Sequence, residues 1–183
     1  MKVGVALLTQ VIFTLGPLAS AQNIPEECFG YSAPKGNDKT GKSINNESQV
    51  LSSDFSHDMR LKKIITCKGF RDELLGVTFV LSTTTSSPAL NLELDSLGYR
   101  SGNSCGTTSL KKDEYVSYVE ISYDSNRVNS FYAKIGENTS VLVGNRKASD
   151  KTKGWSFNEK NLLTGLIGTE SSDGINSLGT VIY

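Results

Sequence analysis

The sequence predicts an all-β chain, and three observations carry that prediction. After Leu61, short runs rich in Val, Ile, Tyr, Thr and Phe alternate with clusters of Gly, Asn, Ser and Asp, the texture of strands and turns. No window holds apolar residues at sustained helical spacing. Finally, "KIITCKGFRDELLGVTF" from Lys63, "SYVEISYDSNRVNSFYA" from Ser117 and "TGLIGTESSDGINSLGT" from Thr164 align without gaps across their centres.

The repeat defines the architecture more closely than any single strand does. Each copy has an apolar residue at Ile65, Val119 or Leu166, a second at Leu74, Val128 or Ile175, and a third at Val77, Phe131 or Leu178. Two copies also share Asn-Ser, as Asn129-Ser130 and Asn176-Ser177. Strand, polar middle and strand make a hairpin, in which Gly and Asn reach positive φ cheaply. The spacing between copies holds about four short strands each. Three such units suggest a β-prism, three Greek-key sheets with pseudo-threefold symmetry around one core. A sandwich or barrel built from similar hairpins is the competing reading.

In chain order, residues 1–21 read as a cleaved signal peptide. A lysine precedes an apolar stretch from Val3 to Leu18, and Ala19 and Ala21 are the small residues a cleavage site needs. Thr9, Gln10, Thr14, Gly16 and Pro17 interrupt that stretch, which falls short of the ~20 apolar residues of a membrane span. No later segment is apolar enough to cross a bilayer, so the mature chain is expected to be secreted. Residues 22–60 read as an irregular arm with one strand around Gln49 to Phe55, and residues 61–183 as the prism domain. One domain of 183 residues buries enough surface to fold without a metal.

Composition narrows the function. The 19 basic residues balance 19 acidic ones, which gives no field to gather nucleic acid. Cys28, Cys67 and Cys105 with a single histidine, His57, do not assemble a zinc ligand set, so no metal or cofactor is expected. In an exported chain they read as one disulfide and one odd thiol, with the pairing open. "NES" at Asn46 and "NTS" at Asn138 are acceptor sequences for glycosylation.

No catalytic residues are assigned. His57 lies between Asp54 and Asp58 without a nucleophile beside it. The adjacent acids Asp72 and Glu73 read as a solvated turn rather than a glycosidase pair. Trp155 beside Phe157 reads as core. Tyr115 and Tyr123 share one strand face and Tyr118 takes the other.

"DEYVSYVEISY" followed by "RVNSFYAKI", and the closing "SFNEKNLLTGLIGTESSDGINSLGTVIY", resemble the jacalin-related lectin domain, including its secreted animal forms. Glu114 and Tyr115 stand where that family opens its second unit with Glu and Tyr or Ile. The resemblance covers about Leu61 to Tyr183 and implies a threefold β-prism that binds sugars at one end. It also implies a site made from a glycine-rich turn near the mature N-terminus and a Gly-x-x-x-Asp loop in the last unit.

In this chain Ser172 stands at the glycine and Asn176 at the aspartate, while Gly30, Gly36 and Gly41 are isolated. Ser172, Asp173, Gly174 and Asn176 are therefore the candidate carbohydrate-binding residues. Ser125 and Asn129 are a second set, because "SNRVN" repeats the Ser-x-x-x-Asn form. Expected partners are glycans or glycoproteins, in a homo-oligomer or larger assembly that gains avidity by linking weak sites. The alternative function is a structural or assembly protein of an exported matrix, granule or complex, with the sugar site decayed.

Overall fold

The computed structural model describes residues 30–37, 41–51, 59–85, 87–99 and 104–182. In chain order these form β1 (Gly30–Tyr31), β2 (Lys35–Gly36), β3 (Lys42–Asn45), α1 (Asn46–Leu51), β4 (Met59–Lys68), β5 (Leu74–Thr83), β6 (Asn91–Glu93) and β7 (Leu97–Gly98). The remaining strands are β8 (Ser104–Ser109), β9 (Val116–Tyr123), β10 (Val128–Ile135), β11 (Thr139–Gly144), β12 (Lys151–Ser156), β13 (Leu163–Ser171) and β14 (Gly174–Ile182). The signal segment, Cys28 and His57 with its flanking aspartates lie outside the described residues.

The three repeated segments are the three central hairpins, β4–β5, β9–β10 and β13–β14. Around the first, the strand order is β6-β5-β4-β8, and around the second β11-β10-β9-β12. Each is a Greek key, in which three consecutive strands are followed by a fourth that returns beside the first. The third hairpin is completed from the other end of the chain, in the order β1-β14-β13-β3 with β2 also on β14. The fold is an all-β prism of three antiparallel sheets.

Each sheet turns one apolar face to a common interior. Phe79, Leu74 and Ile64 enter from the first sheet, Phe131, Val119 and Ile121 from the second, and Leu166, Ile175 and Leu178 from the third, all fully buried in one cluster. Replacing either phenylalanine by alanine would cost about 3–5 kcal/mol. The ungapped repeat is one residue out in its first strand. Ile64 pairs with Phe79, and Ile65 pairs with Thr78, whereas Val119 pairs with Ala133 and Leu166 with Thr180. The turn of the first hairpin is one residue longer, with Lys68 opposite Leu74 where Tyr123 faces Val128 and Glu170 faces Ile175, so Ile64 takes the interior position and Ile65 is buried outside the central cluster.

The N-terminal segment departs from the expected arm. Residues 30–45 supply three short strands to the third sheet, and the strand expected around Gln49 to Phe55 is replaced at its start by helix α1. The Asn45 carboxamide oxygen accepts the Glu47 N–H at 2.9 Å, an N-cap that satisfies an orphan helix donor. Asn46 is wholly buried; its Oδ1 accepts the Leu166 N–H at 2.9 Å, and its Nδ2 donates to Gln49 Oε1 and the Asp95 carbonyl. In the folded chain both hydrogens of that nitrogen are used within the fold. Asn138, in the β10–β11 turn, is exposed.

The disulfide joins Cys67 to Cys105, opposed residues of β4 and β8. Strand β8 is exposed along most of its length, so it draws little support from the core and depends on its ladder to β4 and this covalent link. Trp155 is partly buried and packs against the core, as does Tyr123. Replacing both Cys67 and Cys105 by serine should lower stability in urea by about 2–4 kcal/mol. Hydrogen exchange should rise first in β8; unchanged β8 protection would refute this dependence.

Candidate rim site

The turns of the three hairpins converge at one end of the prism. They surround an opening of about 490 Å³ bordered by Glu73, Asn126, Arg127, Ser172, Asp173 and Asn176. Arg127 reaches from the second hairpin to the first, its Nη2 donating to the Leu74 carbonyl at 2.9 Å. Gly174, at φ 121°, lets the third hairpin close against that carbonyl, which a side chain there would approach to 3.1 Å. Glu73 accepts the Arg71 N–H at 2.8 Å within its own turn. The expected solvated turn at Asp72 and Glu73 is present, with Glu73 also facing the opening.

Ser172 and Asp173 are exposed at the tip of the third hairpin. Asn176 is 7% exposed, borders the opening, and accepts the Ser171 hydroxyl at 3.0 Å. The N-terminal glycines are brought against this hairpin. Gly36, at φ 113°, abuts the Asn176 carbonyl, where any side chain would collide, and Asn37 N–H donates to that carbonyl at 2.8 Å. Gly41, at φ 98°, approaches the Glu170 carbonyl and the Asn176 amide in the same way. The sequence alone does not mark Gly36, Asn37 and Gly41 as a unit. Their signal is two glycines bracketing the polar run "NDKT".

The same device recurs in every unit. Gly98 at φ 90° and Gly144 at φ 93° occupy the places of Gly36, with Tyr99 N–H on the Leu75 carbonyl at 2.8 Å and Asn145 N–H on the Asn129 carbonyl at 3.1 Å. The equivalents of Asn176 are therefore Leu75 and Asn129, and they differ chemically. Leu75 brings no polar side chain. Asn129 is buried, its amide donating to Asp124 at 3.1 Å and to Asp150 at 3.0 Å. Lys147 completes that cluster, its ammonium 3.3 Å from Asp124 and its N–H on Asp150 at 2.9 Å. Both amide protons of Asn129 are thus used by the fold, and the second hairpin presents Asn126 and Arg127 to the opening in place of Ser125 and Asn129.

Burial opposes ionisation of Asp124, but it is outweighed by hydrogen bonds from the Asn126 N–H, the Asn129 amide, the Arg127 N–H and Lys147. Together they hold its carboxyl far below the ordinary 3.8. Among the described residues no group of His, Cys, Asp or Glu is arranged to hold a metal ion, and no helix is long and apolar enough to cross a membrane.

The chain is thus a three-sheet prism whose hairpin turns and N-terminal glycines meet around a polar opening. The chain matches the jacalin-like lectin domain over residues 33–181 and belongs to that family. The match begins at residue 33, ahead of β2 and β3, which pair with β14 and β13 in the third sheet. Among solved structures, the chain is similar to AcmJRL, a mannose-binding jacalin-related lectin from Ananas comosus, with 13% identity, a TM-score of 0.63, and coverage of 84% of this chain and 96% of that one. Artocarpin in complex with mannotriose is similar at 10% identity, TM-score 0.62, covering 84% and 96%. Frutalin from Artocarpus incisa is similar at 13% identity, TM-score 0.61, covering 84% and 95%. No curated protein matches the chain.

Asp124 gives a pH prediction. Its folded pKa lies below the unfolded one, so its contribution is complete above the unfolded value of 3.8 and is lost as pH falls through the lower folded value. Asp124→Asn should destabilise the chain at pH 7 by about 1–3 kcal/mol. It should also flatten the loss of stability in acid, read by denaturant unfolding from pH 7 to pH 2. Parallel profiles for the two proteins would contradict this.

Proposed function

We propose that this chain is a carbohydrate-binding protein that takes a neutral sugar at the rim opening. The observation that carries the proposal is the meeting of Gly36, Asn37 and Gly41 with Asn176 beside the exposed Asp173. Sugar hydroxyls would donate to the Asp173 carboxylate and the Asn176 side-chain carbonyl, while backbone N–H groups of the turn donate to sugar oxygens. The mannose-binding lectin from Ananas comosus and the mannotriose complex of artocarpin support a hexose as the first ligand to try.

Affinity at one such site is expected to be low. An amide at Asn176 replaces the charge-assisted bonds of a carboxylate, about 1.5–3 kcal/mol each, with neutral ones nearer 1 kcal/mol. Binding in use would then draw on several sites linked together, in an oligomer or on a multivalent glycan. We propose also that the chain is exported. The apolar leader ending in Ala19 and Ala21 and the Cys67–Cys105 disulfide support this reading.

A glycan array should show retention of at least one neutral glycan. Asp173→Ala combined with Asn176→Ala should abolish it, with the circular dichroism spectrum unchanged. Failure to bind any member of the panel would favour the structural or assembly role instead.

A further inference from the structure

The outer face of the β9–β12 sheet carries a groove of about 350 Å³ separate from the rim opening. Register places Leu142, Tyr132, Glu120 and Gly154 in one row across β11, β10, β9 and β12. Val119 and Ile121, at alternate positions of β9, fill the core, so this row faces outward. Tyr118 lies across Gly154, where any side chain would collide with the phenol ring and hydroxyl. A glycine on β12 thus lets the ring lie down on the sheet.

The rest of the groove is built around that ring. The Tyr118 hydroxyl donates to Glu120 Oε2 at 3.0 Å, and this bond raises the phenol pKa and keeps the proton on oxygen. Tyr132 meets Tyr118 with ring centroids 6.4 Å apart and planes tilted by 59°, a favourable aromatic arrangement. Leu142 beside them is 69% exposed, an apolar side chain the core does not use. Toward the rim the groove continues over Ser130 and Gly144, a directly paired couple with no large side chain. Asn145, next along, touches the first hairpin through the Arg71 carbonyl at 2.7 Å. Arg146 stands 3.9 Å from Glu120.

We propose that this groove is a second carbohydrate subsite, in which the tyrosines stack against the C–H face of a sugar ring while Glu120 and Arg146 bond its hydroxyls. It rests on the rim reading in one respect, that both subsites hold one glycan chain running over Gly144. Flat aromatic surface beside a few polar groups is the composition of a small-molecule site, and the volume falls within the ~300–1,000 Å³ of such sites. The opposed charges of Glu120 and Arg146 offset each other, which selects a neutral polyhydroxylated ligand over an acid or an amine.

Methyl α-mannoside and mannotriose are the probes, followed on the full chain by 1H–15N NMR. Mannotriose should shift the amides of Tyr118, Tyr132 and Leu142 as well as those of the rim, and methyl α-mannoside those of the rim alone. Tyr132→Ala should weaken mannotriose about tenfold and leave methyl α-mannoside unchanged, while Tyr132→Phe retains binding. Leu142→Asp, at an exposed position where folding is not at risk, should act like Tyr132→Ala. Mannotriose shifts confined to the rim, or equal mannotriose affinity in Tyr132→Ala and Leu142→Asp, would overturn the groove and leave the rim reading intact. Mannotriose shifts confined to the groove in the native chain and persisting in Asp173→Ala/Asn176→Ala would overturn the rim reading and leave the groove. No response anywhere would count against both.

Discussion

The structure depends on three apolar sheet faces filling one interior, with no layer left over to cover any of them. Phe79 and Phe131 close that space from two sides, and Leu166 with Leu178 from the third. Because side-chain direction alternates along a strand, this requirement sets the register of every central hairpin. It also accommodates the longer first turn, between Lys68 and Leu74, which shifts the pairing by a residue so that Ile64 and not Ile65 reaches the centre.

With the sheets so arranged, the hairpin turns arrive together at one end, and chemistry there is free to diverge from unit to unit. All three units keep a positive-φ glycine against a carbonyl, at Gly36, Gly98 and Gly144. The side chain set on that shared backbone differs: a leucine in one unit, an asparagine tied up by two aspartates in another, and in the last an asparagine bordering an open space. The backbone repeat is structural, and the variation laid over it separates a turn closed by its own aspartates from one that borders the opening.

Much of the architecture was legible in the chain because a hairpin writes its apolar pattern locally, and three copies of one pattern exclude most other arrangements. Ser172, Asp173 and Asn176 were singled out by resemblance to a Gly-x-x-x-Asp loop, and all three border the rim opening. Other features required contacts distant in sequence. Helix α1 is a short turn capped by Asn45 and anchored by Asn46 to β13, and its residues show no amphipathic run to announce it. Gly36 and Gly41 looked like ordinary loop glycines until the Asn176 carbonyl and amide were placed beside them. The partner of Cys67 was likewise fixed by strand pairing, not spacing.

The sheet that contains β1, β3, β13 and β14 joins segments far apart in the chain, with Tyr31 opposite Val181 and Asn45 opposite Ile167. Such pairings carry a large loop-closure cost before any contact repays it. On a ribosome the first two Greek keys have all their strands while this sheet still lacks its central hairpin. Two sides of the prism therefore wait, with their inner faces unroofed, until the last strands emerge, and the nascent polypeptide depends on speed or on a chaperone over that interval.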